Sequence, residues 1–68
     1  MPTDSHQRAA EFHDLAAHAH RVAATRHDEG DHQTGHELSK QAMEHSAKAQ
    51  QASQEAFQKS AMLAGRQD

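Results

Sequence analysis

An all-α fold is the class that the 68-residue sequence predicts, and two observations support this prediction. β-branched residues are almost absent and the only proline is Pro2, so nothing favours strands. Small and apolar residues recur at alternating intervals of three and four, which is the period of packed helices. We therefore expect a single domain, residues 1–68, that forms an antiparallel, coiled-coil-like hairpin of two helices.

The first helix is predicted over about residues 4–29. Asp4 can accept hydrogen bonds from the first backbone N–H groups, and Gln7 stands three residues later, as in a capping box. Gly30 supplies the stop signal, because glycine readily adopts the left-handed conformation found after many helix ends. The stretch AAEFHDLAAHAHRVAATRHDE, residues 9–29, divides into three heptads, which favours a left-handed pair of packed helices.

The predicted turn is residues 30–31, and the second helix follows over about residues 32–64. Asp31 is the preferred N-cap, because it leaves a short connection between antiparallel neighbours. Thr34 is a competing start, since the sequence TGHE is a second capping box. After Gly65 the chain is expected to fray.

A seam of serine and alanine is predicted along the second helix. Its members alternate at intervals of three and four: Ser39, Ala42, Ser46, Ala49, Ser53, Ala56, Ser60 and Leu63. Such small side chains let two helix axes approach to the low end of the usual spacing of about 8–10 Å. The serines are interpreted as packing residues. Larger side chains are expected to pack at the flanks of the seam: Leu38, Met43, Ala52 and Phe57.

Self-association is expected because the hairpin has little to bury. Fourteen of the hydrophobic residues are alanine, so a lone hairpin gains little apolar burial against its conformational entropy. The face expected to meet the seam consists of Phe12, Leu15, Ala16, Ala19, Val22 and Ala23. His45 replaces an apolar residue between Leu38 and Ala52 and is expected to be partly buried at an interface. We predict a homodimer that forms a four-helix bundle.

Charge and composition argue against several function classes. The chain has a net charge of -3 and two aromatic residues, whereas nucleic-acid binders usually show a basic stripe or stacking aromatics. Cysteine is absent, so disulfides and thiolate metal sites are excluded. No segment approaches the ~18 apolar residues of a membrane span, and we expect a cytoplasmic protein without a membrane partner. A two-helix chain offers little concave volume, so neither an enzyme nor a small-molecule substrate is expected.

Histidine recurs at one heptad position, at His6, His13, His20 and His27. Seven residues rise about 10.5 Å along a helix, so no two of these imidazoles can share one ion. His13 and His20 are therefore candidate metal half-sites, or members of a hydrogen-bond ladder, completed by a carboxylate or histidine from another helix or chain. The alternative is that they are boundary residues that direct their polar edge into water.

His32 and His36 are the only histidine pair at i, i+4 spacing. That spacing places two imidazoles on one helical face, where they can hold a Zn, Cu or Ni ion. His27 and Asp28 lie across the turn, together with Asp31, and can complete a shell of three or four ligands. The pair shares a helix only if the second helix begins at Asp31; otherwise these residues are exposed polar groups of the turn.

The run AAEFHDLAAHAHRVAATRHDEGDHQTGHELSKQAMEHSAKA, residues 9–49, resembles short bacterial His/Ala-rich proteins of unknown function. Those proteins repeat units like AAEHHE and place a Gly-Asp or Gly-Asn turn before a second His-rich helix. The resemblance implies a helical hairpin and a connection with metal or stress biology. This chain differs in that its histidine doublets are reduced and no histidine follows His45.

Two functions are expected from these observations. The first is transition-metal binding by surface and interface histidines, for buffering or resistance. The second is a structural or protein-interaction hairpin that self-associates, with histidines that are incidental or set a pH response. Full protonation of the eight histidines would change the formal net charge from -3 to +5.

Overall fold

Two long helices make up the protein in a computed structural model, which describes residues 2–65. Helix α1 is Pro2–Asp28 and helix α2 is His32–Ala64. They pack along each other as a hairpin, a rod of 58 × 13 × 12 Å. The predicted all-α hairpin is confirmed, and residues 2–65 contain no strand. The predicted fraying of residues 66–68 lies outside the described residues.

Helix α1 begins two residues earlier than predicted. Pro2 takes the first helical position, where its missing N–H costs nothing because the first N–H groups have no helical acceptor. Asp4, the predicted cap, instead lies in the first turn, where a negative charge interacts favourably with the helix dipole. The end at Asp28 is one residue from the prediction, and α2 has the predicted bounds.

The connection between the helices is a Schellman motif around Gly30. The Asp31 N–H donates to the Arg26 carbonyl at 2.9 Å, and the Gly30 N–H donates to the His27 carbonyl at 3.0 Å. Gly30 has a φ of 85°, which residues with a side chain rarely adopt. The predicted left-handed glycine is confirmed, and it lets the chain reverse within residues 29–31.

Asp31 caps α2, so the prediction of Asp31 rather than Thr34 as the start is confirmed. Its carboxylate accepts a hydrogen bond from the Thr34 backbone N–H at 3.2 Å. The Thr34 hydroxyl also donates to this carboxylate, and the two bonds lower the pKa of Asp31 from its ordinary value of 3.8. His32 and His36 therefore do lie on one helix.

Two substitutions of Asp31 should distinguish the stability that its hydrogen bonds to the start of α2 provide from the stability that its negative charge provides. Asp31→Ala should lower the melting temperature at pH 7, because N–H groups at the start of α2 lose their acceptor. Asp31→Asn should stay close to the wild type at pH 7, since asparagine is an equally good cap. Because folding lowers the Asp31 pKa, its charge-dependent stabilisation is complete above 3.8 and is lost as the pH falls through the folded-state pKa.

Circular dichroism melts at pH 7 and at lower pH test this expectation. Asp31→Asn should lose less stability on acidification than the wild type does. Equal melting temperatures for Asp31→Ala and the wild type at pH 7 would show that the cap contributes nothing.

The core of the hairpin consists of alanine. The buried alanines repeat every seven residues: Ala9, Ala16 and Ala23 in α1, and Ala42, Ala49 and Ala56, with Ala52 beside them, in α2. Ala42 and Ala49 are 0% exposed. Ser60 and Leu63 are exposed, so the predicted seam is confirmed only over residues 39–56.

Large apolar side chains lie beside the alanine seam, and several are exposed. The prediction that Met43 and Phe57 pack at the flanks is wrong for the single hairpin, because they are 69% and 71% exposed. Leu15, predicted to face the seam, is 49% exposed. Three further large side chains are half-buried: Phe12, Val22 and Leu38. Alanine contacts bring the helix backbones together so closely that larger groups fit only at the sides.

Candidate functional site

The imidazoles of His27 and His32 meet across the turn. Their Nδ1 atoms are 3.1 Å apart, and their ring centroids are 5.3 Å apart with an angle of 33° between the ring planes. For a hydrogen bond, one Nδ1 must donate and the other must accept, so at least one ring must be neutral. Two imidazole nitrogens therefore converge at one end of the rod.

The turn and a glycine position this pair. His27 is the second-last residue of α1 and His32 is the first residue of α2, on either side of the Schellman motif. Gly35 lies one turn into α2, and a Cβ there would be 2.8 Å from the His27 Nε2 atom. Since three atoms of the ring would be within 2.9 Å of that Cβ, the His27 ring covers the Gly35 backbone directly. This approach requires glycine.

The charges of the turn favour a cation. Asp28, Glu29 and Asp31 lie between the two histidines in sequence, and the Asp31 carboxylate is ionised at neutral pH, since its pKa lies below its ordinary value of 3.8. Arg26 is the nearby cation, and its Nη1 atom lies 3.1 Å from the Glu29 Oε1 atom in an exposed ion pair. The excess of carboxylates gives the turn a negative potential.

The separation of the two nitrogens is close to that of a metal chelate. Imidazole nitrogens lie ~2.0–2.1 Å from zinc, so two of them on a tetrahedral ion are about 3.3 Å apart. The observed separation of the His27 and His32 Nδ1 atoms is 3.1 Å. The distance between the two Nδ1 atoms is therefore close to the distance between two ligands of one metal ion. Zinc, copper and nickel all accept imidazole ligands.

The structure brings together two of the four residues predicted at this site. His36 and Asp28 are exposed. Among the described side chains, no group of three or more His, Asp or Glu residues is arranged to hold a metal ion. The shell of three or four ligands thus stays a prediction that requires exposed side chains to move. The contact that the structure shows is between His27 and His32, and the pairing of His32 with His36 on one ion stays a prediction.

His13 and His20 contact serine hydroxyls on α2. The His13 Nε2 atom is 2.7 Å from the Ser53 Oγ atom, and the His20 Nε2 atom is 3.3 Å from the Ser46 Oγ atom. The two contacts are seven residues apart on both helices, as expected for one antiparallel register. Hydrogen bonds thus join the helices at these positions, but their partners are serines and not the predicted carboxylates or histidines. The metal half-sites at His13 and His20 stay a prediction.

The role of the seam serines was missed from the sequence. They were interpreted as packing residues, whereas Ser46 and Ser53 are half-buried and bond to the histidines. A signal was available, because the histidines of α1 and the serines of α2 have the same seven-residue period. Ser39 differs, since its hydroxyl donates to the Gly35 carbonyl at 2.9 Å.

The fold and the site define a class, an alanine-packed helical hairpin with a histidine pair at its turn. No protein-family model, curated protein or solved structure matches the chain. The resemblance to bacterial His/Ala-rich hairpins therefore stays a prediction. Within residues 2–65, neither helix has the length and apolar character needed to cross a membrane.

Proposed function

We propose that this chain is a small cytoplasmic protein that binds a transition-metal ion at its turn, for metal buffering or resistance. The ion is zinc, copper or nickel, and His27 and His32 are its first ligands. The observation that supports this proposal is the 3.1 Å separation of their Nδ1 atoms. Affinity rises with the number and rigidity of the ligands, so two preformed ligands suit reversible buffering better than tight storage.

His36 and Asp28 are the candidates for the remaining ligand positions. His36 follows His32 by four residues, so the two side chains lie on one face of α2. Asp28 adjoins His27 at the end of α1. Both candidates are exposed and can reorient towards an ion. Water fills any position that is left, as it does in open zinc sites.

Metal ions should raise the melting temperature of the protein. A free ion at 100 times its Kd stabilises the folded state by ~2.7 kcal/mol. In a chain of this size, that corresponds to a rise on the order of 10 °C. His32→Ala should remove most of the rise, because one of two preformed ligands is lost, and His36→Ala should remove a smaller share. Circular dichroism melts with each ion, and again with EDTA, measure these differences.

His18→Ala is the matched control. His18 is exposed and follows the buried Ala16 by two residues, which places it about 200° around the helix from the seam. This variant should keep the full metal-induced rise. The proposal fails if none of the three ions changes the melting temperature, or if His18→Ala loses as much of the rise as His32→Ala.

A second candidate function, a structural or protein-interaction hairpin that self-associates as a homodimer, is favoured by a different observation. Among the described residues, no large side chain is fully buried. Five large apolar side chains remain exposed: Leu15, Met43, Phe57, Met62 and Leu63. In this function the histidines are incidental or set a pH response. Association that is unchanged in EDTA favours this function, whereas association that needs metal favours the first.

A further inference from the structure

The hairpin exposes more surface than a folded chain of its mass usually does. Its solvent-accessible surface is 5226 Å². A compact monomer of 7.5 kDa is expected to expose about 4,250 Å². The excess of roughly 1,000 Å² is comparable to the ~800 Å² that each partner buries in a standard interface. Burial of ~800 Å² against one further copy would reduce the exposed surface of each hairpin to about 4,400 Å², close to the value expected for a compact monomer of its mass.

One side of the rod carries four of the eight large apolar side chains of the described residues that are not fully buried. A helix turns 100° per residue, so Phe12, Leu15 and Val22 lie on one side of the buried alanines of α1, and His13 and His20 lie on the other. We name the first side the Leu15 edge. It comprises Phe12, Leu15 and Val22 of α1 with Leu38, His45 and Ala52 of α2.

Residues of both helices border the Leu15 edge. Arg8 and Phe12 of α1 share a shallow groove with Lys48, Ala52 and Glu55 of α2. The Arg8 guanidinium lies 5.7 Å from the centre of the Phe12 ring. Phe12 and Ala52 form the apolar part of the groove, and charged and polar groups surround them, as at the rim of a protein–protein interface.

The opposite side of the rod has a different composition. It carries the hydrogen bonds of His13 and His20 to serine, and its large apolar side chains are Met43 and Phe57. The Leu15 edge carries four large apolar side chains, and the half-buried His45 lies among them, as expected for an interface position. Met43 and Phe57 are more exposed than the large side chains of the Leu15 edge, so the order of charged and apolar residues along α1, not exposed apolar area, is what favours the Leu15 edge.

Four residues, three in α1 and one directly after it, are placed to pair with the same four residues of a second copy that runs in the opposite direction. They lie seven residues apart, at Arg8, Leu15, Val22 and Glu29, and are therefore aligned on one side of the helix. Glu29 continues the helical path, because its N–H donates to the Thr25 carbonyl at 3.0 Å. With a two-fold axis between residues 18 and 19, Arg8 lies opposite Glu29 of the partner subunit. Leu15 then lies opposite the partner's Val22.

We infer that two copies of the hairpin associate through their Leu15 edges, with α1 antiparallel to α1 of the partner subunit. The two-fold axis crosses α1 between residues 18 and 19. This inference rests on the second proposed function, self-association, and specifies its surface and alignment. Opposite charges meet at both ends of the paired α1 helices, and apolar side chains meet in the middle.

Sedimentation equilibrium over a range of protein concentrations tests the surface. The wild type should have twice the mass of the 7.5 kDa chain. Leu15→Glu should raise the dimer Kd at least tenfold, because the symmetry places two charges in the apolar centre. Met43→Glu is the matched control on the opposite side and should leave the Kd unchanged. Leu15 is 49% exposed, so the monomer should still fold, which circular dichroism verifies.

A charge exchange tests the alignment. Arg8→Glu should weaken the dimer several-fold, since two glutamates then face each other at both ends. Adding Glu29→Arg to Arg8→Glu should restore the dimer. Failure of the double variant to restore it would overturn the antiparallel alignment.

The outcomes distinguish two claims: that the protein self-associates, and that it does so through the Leu15 edge. A wild type that is monomeric at all concentrations overturns both the inference and the second proposed function. A dimer that survives Leu15→Glu but is lost in Met43→Glu overturns the Leu15 edge alone. A dimer that dissociates in EDTA is assembled by metal, which also overturns the inference.

Discussion

Ala49→Leu is expected to lower the melting temperature of the hairpin by about 10 °C. Ala49 is 0% exposed and lies in the middle of the alanine seam. Three additional carbon atoms there must push the two helices apart or bend them, and overpacking of this kind costs about 1–3 kcal/mol. In a domain of this size each kcal/mol corresponds to roughly 4–8 °C. Circular dichroism melts and urea unfolding measure the loss.

Ala47→Leu is the control for this experiment. It makes the same substitution two residues earlier in the same helix, at an exposed position. Alanine and leucine have similar helix propensities, so we expect a change within about 0.5 kcal/mol. Equal destabilisation by both variants would show that the alanine seam does not hold the helices together.

Gly35→Ala is expected to stabilise the metal-free hairpin and to weaken metal binding. Alanine within a helix is favoured over glycine by about 0.5–1 kcal/mol. The new Cβ would be 2.8 Å from the His27 Nε2 atom, so the ring must move. His27 is exposed and its ring can swing outward, at the expense of its contact with His32. The variant should melt higher than the wild type in EDTA and show a smaller rise with zinc.

Gly30→Ala provides the comparison for Gly35→Ala. No atom lies within 4 Å of a Cβ at Gly30, but its φ of 85° strains any residue that has a side chain. The substitution should therefore lower stability by about 1–2 kcal/mol. An unchanged zinc response in Gly35→Ala would show that the position of His27 does not matter for metal binding.

The fold class and the turn could be predicted because their signals are local. A glycine that must adopt positive φ and an aspartate that accepts backbone N–H bonds act within a few residues of their own position. Gly30 and Asp31 therefore define the end of α1 and the start of α2 without reference to the rest of the fold. The start of α1 was less predictable, because Pro2 and Asp4 are both acceptable near a helix N-terminus.

The residues of the core were predicted less well, because large side chains were given more weight than alanine. A core direction along Phe12, Leu15 and Val22 would place the histidines about 110° away. The structure instead packs on Ala9, Ala16 and Ala23, which lie closer to the histidines around the helix. Alanines let these two helices approach closely, and this gain is larger than the gain from burying bigger side chains. It depends on how the two helices contact each other, which the sequence of one helix does not show.

Only part of the candidate site could be predicted, because only part of it depends on the spacing of residues along one helix. Spacing alone identifies His32 and His36, because i, i+4 on a helix is a local relation. The contact of His27 with His32 depends on the path of three turn residues and on the absence of a Cβ at Gly35. Neither dependence can be inferred from spacing along one helix.

The seven-residue repeat allows the hairpin to be lengthened without a change in the turn. Alanine and the His–Ser contacts both recur every seven residues, so a helix displaced by one heptad would meet equivalent partners. The turn alone selects one alignment among these. Inserting one heptad into each helix should lengthen the hairpin by about 10.5 Å and leave the turn and its histidine pair unchanged. Hairpins of graded length can therefore be built from this repeat.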